Sequence, residues 1–292
     1  MTGALRVGTY NIHHGADGKD RLDLGRTAAA IAALRADVIG LQEVDVGYGP
    51  RSDFEDQAAR LAELLGLQMC FGAAIDRAGA DRASGDRAVT GRTGADVTST
   101  HGGERQQYGL ALLTRHEIVA HAMHPLPGHP ALGALHEPRG LLSTTVHPAG
   151  QEPIDVLVTH LDHEDPRHRT AQVLRILEHA AALEGPAVLL GDFNADPGAP
   201  ELAPLSASGW REAATDLSPD PPRSPLASML AAARPLGRFP GRATFPSRLP
   251  LRRIDSIWAR GGLEATALEV GPSRASDHRP LVAAFERVPT AR

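Results

Sequence analysis

The chain has 292 residues, 42% hydrophobic and 22% charged, with a formal net charge of −5. This composition fits a folded globular protein with a sizeable core and excludes a disordered chain, and the acidic balance argues against a general polyanion-binding surface. The single cysteine, Cys70, excludes an internal disulfide, and no window is apolar for long enough to cross a membrane, so a cytoplasmic protein without membrane insertion is expected.

Periodicity predicts a strand over 6–12, a helix over 22–36, a strand over 37–44 and a helix over 53–66. Strands follow over 109–115, 140–146 and 154–161, then a helix over 166–185 and strands over 187–193, 252–259 and 280–285. The strand runs are short, apolar and β-branched, whereas the helical stretches carry good helix formers, two of them closing on glycine. Some strands are joined by short links, as in "GLALLTRHEIVAHAM" (109–123), which favours mixed sheets covered by helices over a purely parallel sheet. Two stretches read as irregular insertions in one domain spanning 1–292, a Gly/Asp/Arg/Thr-rich one over about 76–107 and a proline-rich one over about 218–250. Within and just beyond the second, Arg234 to Arg253 holds six arginines and no acid, readable either as a solvated surface or as a rim that attracts phosphate.

Oxygen- and nitrogen-bearing side chains recur where the apolar strands end. They are Asn11 in "TYNIHH", Glu43 in "GLQEVD", His160 in "VTHLDH", Asp192 and Asn194 in "LLGDFNAD", Asp255 in "RRIDSIW", and Asp277 and His278 in "RASDHRPL". Each alone has an ordinary reading as a turn former, a strand end or a hydrogen-bonded core histidine. Together they point to a shared site, because such groups are costly to desolvate and strand ends gather ligands in layered α/β folds. Carboxylate and amide oxygens are hard ligands that suit Mg²⁺ or Mn²⁺, and histidines paired with carboxylates carry protons or positive charge. Phosphoester hydrolysis uses that combination. Neither a nucleophile-elbow serine motif nor a glycine-rich nucleotide loop is present. His13 and His14 would point to opposite faces if the first strand continued through them, and Phe193 should turn back into the core.

In this order, "LQEVD", "THLDH", "GDFNA", "RIDSI" and "SDHRPL", preceded by an asparagine in the first strand, resemble the motifs of the endonuclease/exonuclease/phosphatase superfamily of metal-dependent phosphohydrolases. The resemblance runs from about residue 6 to 286 and implies an α/β fold, a four-layer α/β/β/α sandwich with two mixed central sheets flanked by helices. It also implies that Glu43 is the principal metal ligand, assisted by Asn11 and Asp277. Asp192 would orient or deprotonate the attacking water, and Asn194 would hold that water or the phosphate. His278 would face the scissile phosphate with Asp255 as its partner. His160 would be the second histidine of the deoxyribonuclease and sphingomyelinase branches, which speaks against an apurinic endonuclease. The general base stays open between Asp192 and His278.

The expected partner is a phosphorylated substrate, either a small phosphodiester or a nucleic acid, and nothing indicates a protein partner. A small phosphodiester needs only one or two basic contacts, for which Arg139 in "EPRGLL" is the candidate. A phosphodiesterase is therefore expected first, a nuclease using the Arg234–Arg253 segment second, and a lipid phosphodiesterase third. A binding protein that keeps the fold without activity is the reading of another class.

Overall fold

A computed structural model describes residues 4–78, 105–128, 137–215, 217 and 242–288. Twelve strands form two six-stranded sheets. The first sheet contains β1 (Leu5–Asn11), β2 (Val38–Val46), β3 (Gln68–Ala78), β4 (Arg105–Thr114), β11 (Leu263–Val270) and β12 (Leu281–Arg287), in the order β11-β12-β1-β2-β4-β3. The second contains β5 (Glu117–Pro125), β6 (Gly140–His147), β7 (Ile154–His160), β8 (Ala187–Asp192), β9 (Arg211–Glu212) and β10 (Asp255–Arg260), in the order β5-β6-β7-β8-β10-β9. Both sheets are mixed: β1 runs parallel to β2 and β7 parallel to β8, and the remaining pairs are antiparallel.

The near-continuous apolar runs have a simple cause, since each sheet is covered on both faces. Side-chain alternation sends Val38, Val188 and Leu190 into the core between the sheets. Ile39 and Leu41 face the helix layer α1 (Leu24–Leu34) and α2 (Gln57–Leu65). Leu189, with Leu157 and Trp258, faces α3 (Pro166–Ala180) and the short α4 (Ala203–Ala207). The result is the four-layer α/β/β/α sandwich. Cys70 lies in the inter-sheet core, its sulfur 3.3 Å from the Thr144 hydroxyl across the gap.

Several boundaries differ from expectation. The helix predicted over 53–66 starts only at Gln57, because Asp53 and Phe54 are left-handed and Asp56 caps the helix by accepting from Ala59 N–H. The helix predicted to reach 185 stops at Ala180, where the Arg260 guanidinium from β10 donates to the carbonyls of Ala180 and Leu183 and replaces a glycine stop. The short link after β4 is not a hairpin, since β4 lies in the first sheet and β5 at the edge of the second. The predicted irregular stretch 76–107 begins and ends as paired strand, with Asp76–Ala78 opposite Arg105–Gln107, and its interior 79–104 lies outside the described residues. Residues 218–241 of the second irregular stretch also lie outside them, including Arg234 and Arg238. Arg242 and Arg253, by contrast, are buried, so they belong to neither a solvated surface nor a rim.

The sheets approach closely at Gly40, where an added Cβ would stand 2.3 Å from Leu190 Cδ1 and 2.8 Å from Val158. Overpacking of this kind typically costs about 1–3 kcal/mol. Gly40→Val should therefore lower unfolding stability by about 2 kcal/mol in a urea titration; an unchanged midpoint would show that the sheets separate freely there.

Candidate active site

The second sheet sets the registry of the site. Parallel pairing places His160 opposite Asp192, and antiparallel pairing places Asp255 opposite Asp192 on the other side, so three neighbouring strands end with these side chains abreast. The first sheet brings Asn11 at the end of β1 and Glu43 in β2. Glu43 sits where the β2–β4 register slips between Leu41 and Val44, with a left-handed φ of 58°. A bulge of this kind re-aims one side chain against the strand's alternation. Asn194, just past β8, is also left-handed, at φ 51°, and asparagine tolerates that region better than most residues. Between them Phe193 turns inward, fully buried against Trp258.

Asp192 is the centre of the cluster. Its Oδ2 accepts from Asn11 Nδ2 at 3.1 Å and lies 3.5 Å from His278 Nε2 and 3.6 Å from His160 Nε2. Its Oδ1 accepts from the Asn194 backbone N–H at 2.9 Å. The same Asn11 amide donates to Glu43 Oε1 at 2.8 Å and so joins the two carboxylates, while its Oδ1 accepts from His13 N–H. His278 Nδ1 is 2.9 Å from Asp255 Oδ2, and the imidazole packs against Phe245 with ring centroids 4.9 Å apart. Arg139, far from being a surface side chain, is buried, paired with Glu137 and 3.1 Å from His160 Nδ1. Because a guanidinium only donates, His160 Nδ1 accepts and the ring carries its proton on Nε2, facing Asp192.

Burial pushes the Asp192 carboxyl up, to about 7, with the Asp255 charge adding to the rise and His278 opposing it. Burial alone would lower His278, but the Asp255 and Asp192 carboxylates outweigh it and bring the imidazole up to about 10. His160 is held well below the ordinary histidine range by burial, then by the charges of Arg139 and His278. Glu43 is raised by burial, against the Asn11 hydrogen bond and the His278 charge, and the Asp277 charge adds to the rise.

The structure thus gathers Asn11, Glu43, Arg139, His160, Asp192, Asn194, Asp255, Asp277 and His278 at one end of the sandwich. Reading the motifs passed over three supporting residues. Ser276 donates to the Asn11 carbonyl at 2.8 Å and accepts from His278 N–H, which ties the loop before β12 to β1. Glu137 takes the Arg139 guanidinium and the Tyr108 hydroxyl. Phe245 supports the His278 ring. Ser276 and Glu137 lie within two residues of positions already singled out, but neither residue type signals a role by itself. A small open cleft is lined by Ala74, Tyr108, Pro138, Arg139 and His160. The first strand does not continue through the two histidines: β1 ends at Asn11, and His13 and His14 enter a tight helical turn with their ring centroids 4.4 Å apart.

The sequence model of the Endonuclease/Exonuclease/phosphatase family matches residues 8–278. The chain belongs to this family. Its members are divalent-metal-dependent hydrolases of phosphoester bonds, including nucleases. Among solved structures, a family protein from Beutenbergia cavernae is similar at 26% identity and a TM-score of 0.69, covering 98% of this chain and 72% of that one. A mannosyl-6-phosphatase from Bacteroides thetaiotaomicron shares the fold at 17% identity and a TM-score of 0.65, covering 97% and 99%. The human Nocturnin catalytic domain with bound sulfate does so at 21% and 0.60, covering 98% and 95%. No curated protein matches significantly. Among the described residues no helix is long and apolar enough to span a membrane.

Since the Arg139 charge helps hold His160 neutral, Arg139→Gln should move the His160 titration upward in an NMR pH series. The parent ring should stay neutral across the range of about pH 5–8 in which unperturbed histidines titrate. A parent His160 that gains its proton within that range would remove the guanidinium from this role.

Proposed function

We propose that the chain is a phosphodiesterase of small phosphodiesters, dependent on Mg²⁺ or Mn²⁺ and acting at the Asp192 cluster. The observation that supports this most directly is the convergence of Asn11, His160 and His278 on a single carboxylate oxygen of Asp192 within 3.1–3.6 Å. The donor set fits a hard cation: Glu43 is a carboxylate raised by burial and by a second carboxylate, Asp277, and a divalent ion would relieve both effects. Glu43 and Asp277 would hold the ion, and the second lone pair of Asn11 Oδ1 remains open to it. When bound, the ion would polarise a non-bridging phosphate oxygen and offset developing negative charge.

The protein's own groups supply the rest. Asp192 Oδ2 takes a proton from the attacking water. His278, oriented by Asp255 through Nδ1, presents Nε2 to the same point and stabilises charge on the phosphoryl oxygens. As the water oxygen bonds to phosphorus and the bond to the leaving oxygen breaks, neutral His160 offers a hydrogen bond from Nε2 to the phosphoryl group or the leaving oxygen, Arg139 fixing its tautomer, and the His278 imidazolium is the group with a proton for the departing oxygen. Asn194 orders the turn that aims Asp192, its own backbone N–H holding Oδ1 and its amide donating to the Leu161 carbonyl at 3.0 Å.

A small diester is favoured over a nucleic acid because two of the six arginines in the Arg234–Arg253 segment are buried, which reduces its worth as a basic groove. The family match over 8–278 supports reading 1–292 as one catalytic domain, and the free, buried Cys70 accords with a cytoplasmic setting.

The enzyme should release nitrophenol from bis-nitrophenyl phosphate with Mg²⁺ or Mn²⁺ and stop on addition of a chelator. Asp192→Ala and His278→Ala should lower turnover by about 10²–10⁴-fold with an unchanged far-UV spectrum. Near-parental rates in either variant would discard these roles. Faster cleavage of DNA or RNA than of small diesters would favour the nuclease, and no chelator-sensitive turnover on any phosphoester the inactive binding protein. Glu43→Gln should shift the metal titration to higher concentrations, and a curve superimposable on the parent's would take Glu43 out of the ligand set.

A further inference from the structure

Beside the oxygen-rich site lies a second cluster of different chemistry. The loop from Ile12 to Asp23 brings His13, His14 and Asp20 together so that one ligand atom from each lies within 4.8 Å of the others. His13 Nε2 is 3.9 Å from Asp20 Oδ1. His13 Nδ1 is buried with no hydrogen-bond partner.

The backbone makes this grouping a built feature. Eight non-glycine residues among those described have positive φ, and His13 (46°), His14 (42°) and Asp20 (55°) are three of them. Such conformations are disfavoured for residues with a Cβ and concentrate where a site over-determines them. Here they swing two consecutive imidazoles onto one side, which extended backbone would forbid. The loop is held in place from outside the cluster. Gln57 donates to the His14 carbonyl at 2.6 Å, and Asn11 Oδ1 accepts from His13 N–H at 3.0 Å. Asp17 accepts from the backbone of Lys19 and Arg21 on both sides of Asp20, and its carbonyl accepts from Asp20 N–H at 2.8 Å. Of the three ligating side chains only Asp20 is largely solvent-exposed, which leaves it free to swing by the ångström or so that closing a metal site requires.

We propose that His13, His14 and Asp20 form a second cation site, specific for a borderline transition ion of the Zn²⁺ class and separate from the hard-ion site on Glu43. Two imidazole nitrogens with one carboxylate oxygen suit zinc, whose tetrahedral shell keeps a fourth position for water, whereas Mg²⁺ prefers oxygen ligands. The two sites are neighbours, since Asn11 accepts from His13 N–H through Oδ1 and donates to Glu43 through Nδ2. An ion in the loop would therefore flank the phosphate-binding cation and stiffen the segment that follows β1. The inference does not depend on the hydrolase reading, because its test is binding.

The full chain should be titrated with ZnCl₂ by calorimetry in excess MgCl₂, which fills the oxygen site. One zinc should bind per chain, and X-ray absorption should show two imidazole ligands. His13→Asn and His14→Asn keep a side chain that tolerates left-handed backbone, and each should weaken zinc binding by at least 10–100-fold, on the scale seen when metal-site residues are altered. Asp20→Ala should weaken it less. The competing location is the Asp192, Asp255 and His278 cluster, whose ligand atoms are also mutually close. Zinc retained in the His13→Asn/His14→Asn double variant but lost in His278→Asn would place the ion there and overturn the proposal, as would a parent chain that binds no zinc in the presence of Mg²⁺.

Discussion

The burial of the Asp192 carboxylate is the constraint around which this end of the molecule is organised. A carboxylate with 1% exposure is expensive to take out of water unless donors surround it. No single strand supplies them. One donor comes from its own turn through Asn194 N–H, one from the other sheet through the Asn11 amide, and the counter-charge from His278 on the loop before β12. Elsewhere the two sheets are joined mainly by non-directional apolar packing, with a few polar contacts such as Cys70 to Thr144. At this edge the polar contacts fix their relative position, and Ser276 reinforces the fit by bonding the β1 terminus to the same loop.

A second feature follows from the first. Regular strands send alternate side chains to opposite faces, so a set of polar groups converging on one point requires departures from regularity. Glu43 and Asn194 provide them as left-handed residues, one in a bulge and one beyond a strand end. Such backbone costs of order 1–3 kcal/mol per residue and persists because neighbours hold it. Gly191, immediately before Asp192, shows the same crowding: at φ 154° any Cβ would stand 1.9 Å from the Thr159 carbonyl oxygen. The glycine in "GDFN" thus lets β8 approach β7 closely enough for Asp192 to stand beside His160.

Much of this was legible in the residues, and what was missed has physical causes. Interior strands were found because burial on two faces leaves unbroken apolar runs. β3, β9 and β11 carry a weaker signal: β9 has two residues, while β3 and β11 lie at sheet edges, and β11 alternates Glu264, Thr266 and Glu269 with small apolar residues. The end of α3 was misjudged because its cap, Arg260, comes from a strand 80 residues away. The candidate site residues could be named from ordered motifs, but neither their distances nor their charge states could. The predicted strand over 6–12 ends one residue beyond Asn11, but nothing in "NIHHG" reveals that Gln57 and Asn11 hold His13 and His14 in left-handed backbone.

The two histidines beside Asp192 show how neighbours assign chemistry to identical side chains. His278 faces the carboxylates of Asp255 and Asp192 and takes positive charge. His160, equally buried, has a guanidinium at Nδ1 and stays neutral, a donor with its proton fixed on Nε2. Arg139 itself brings little net charge to the cleft, because Glu137 lies against it. At this end of the sandwich the four acids Glu43, Asp192, Asp255 and Asp277 outnumber the one raised imidazole. A phosphoester anion entering that field would be repelled. The divalent ion on which the family depends would offset that field and let a phosphate approach.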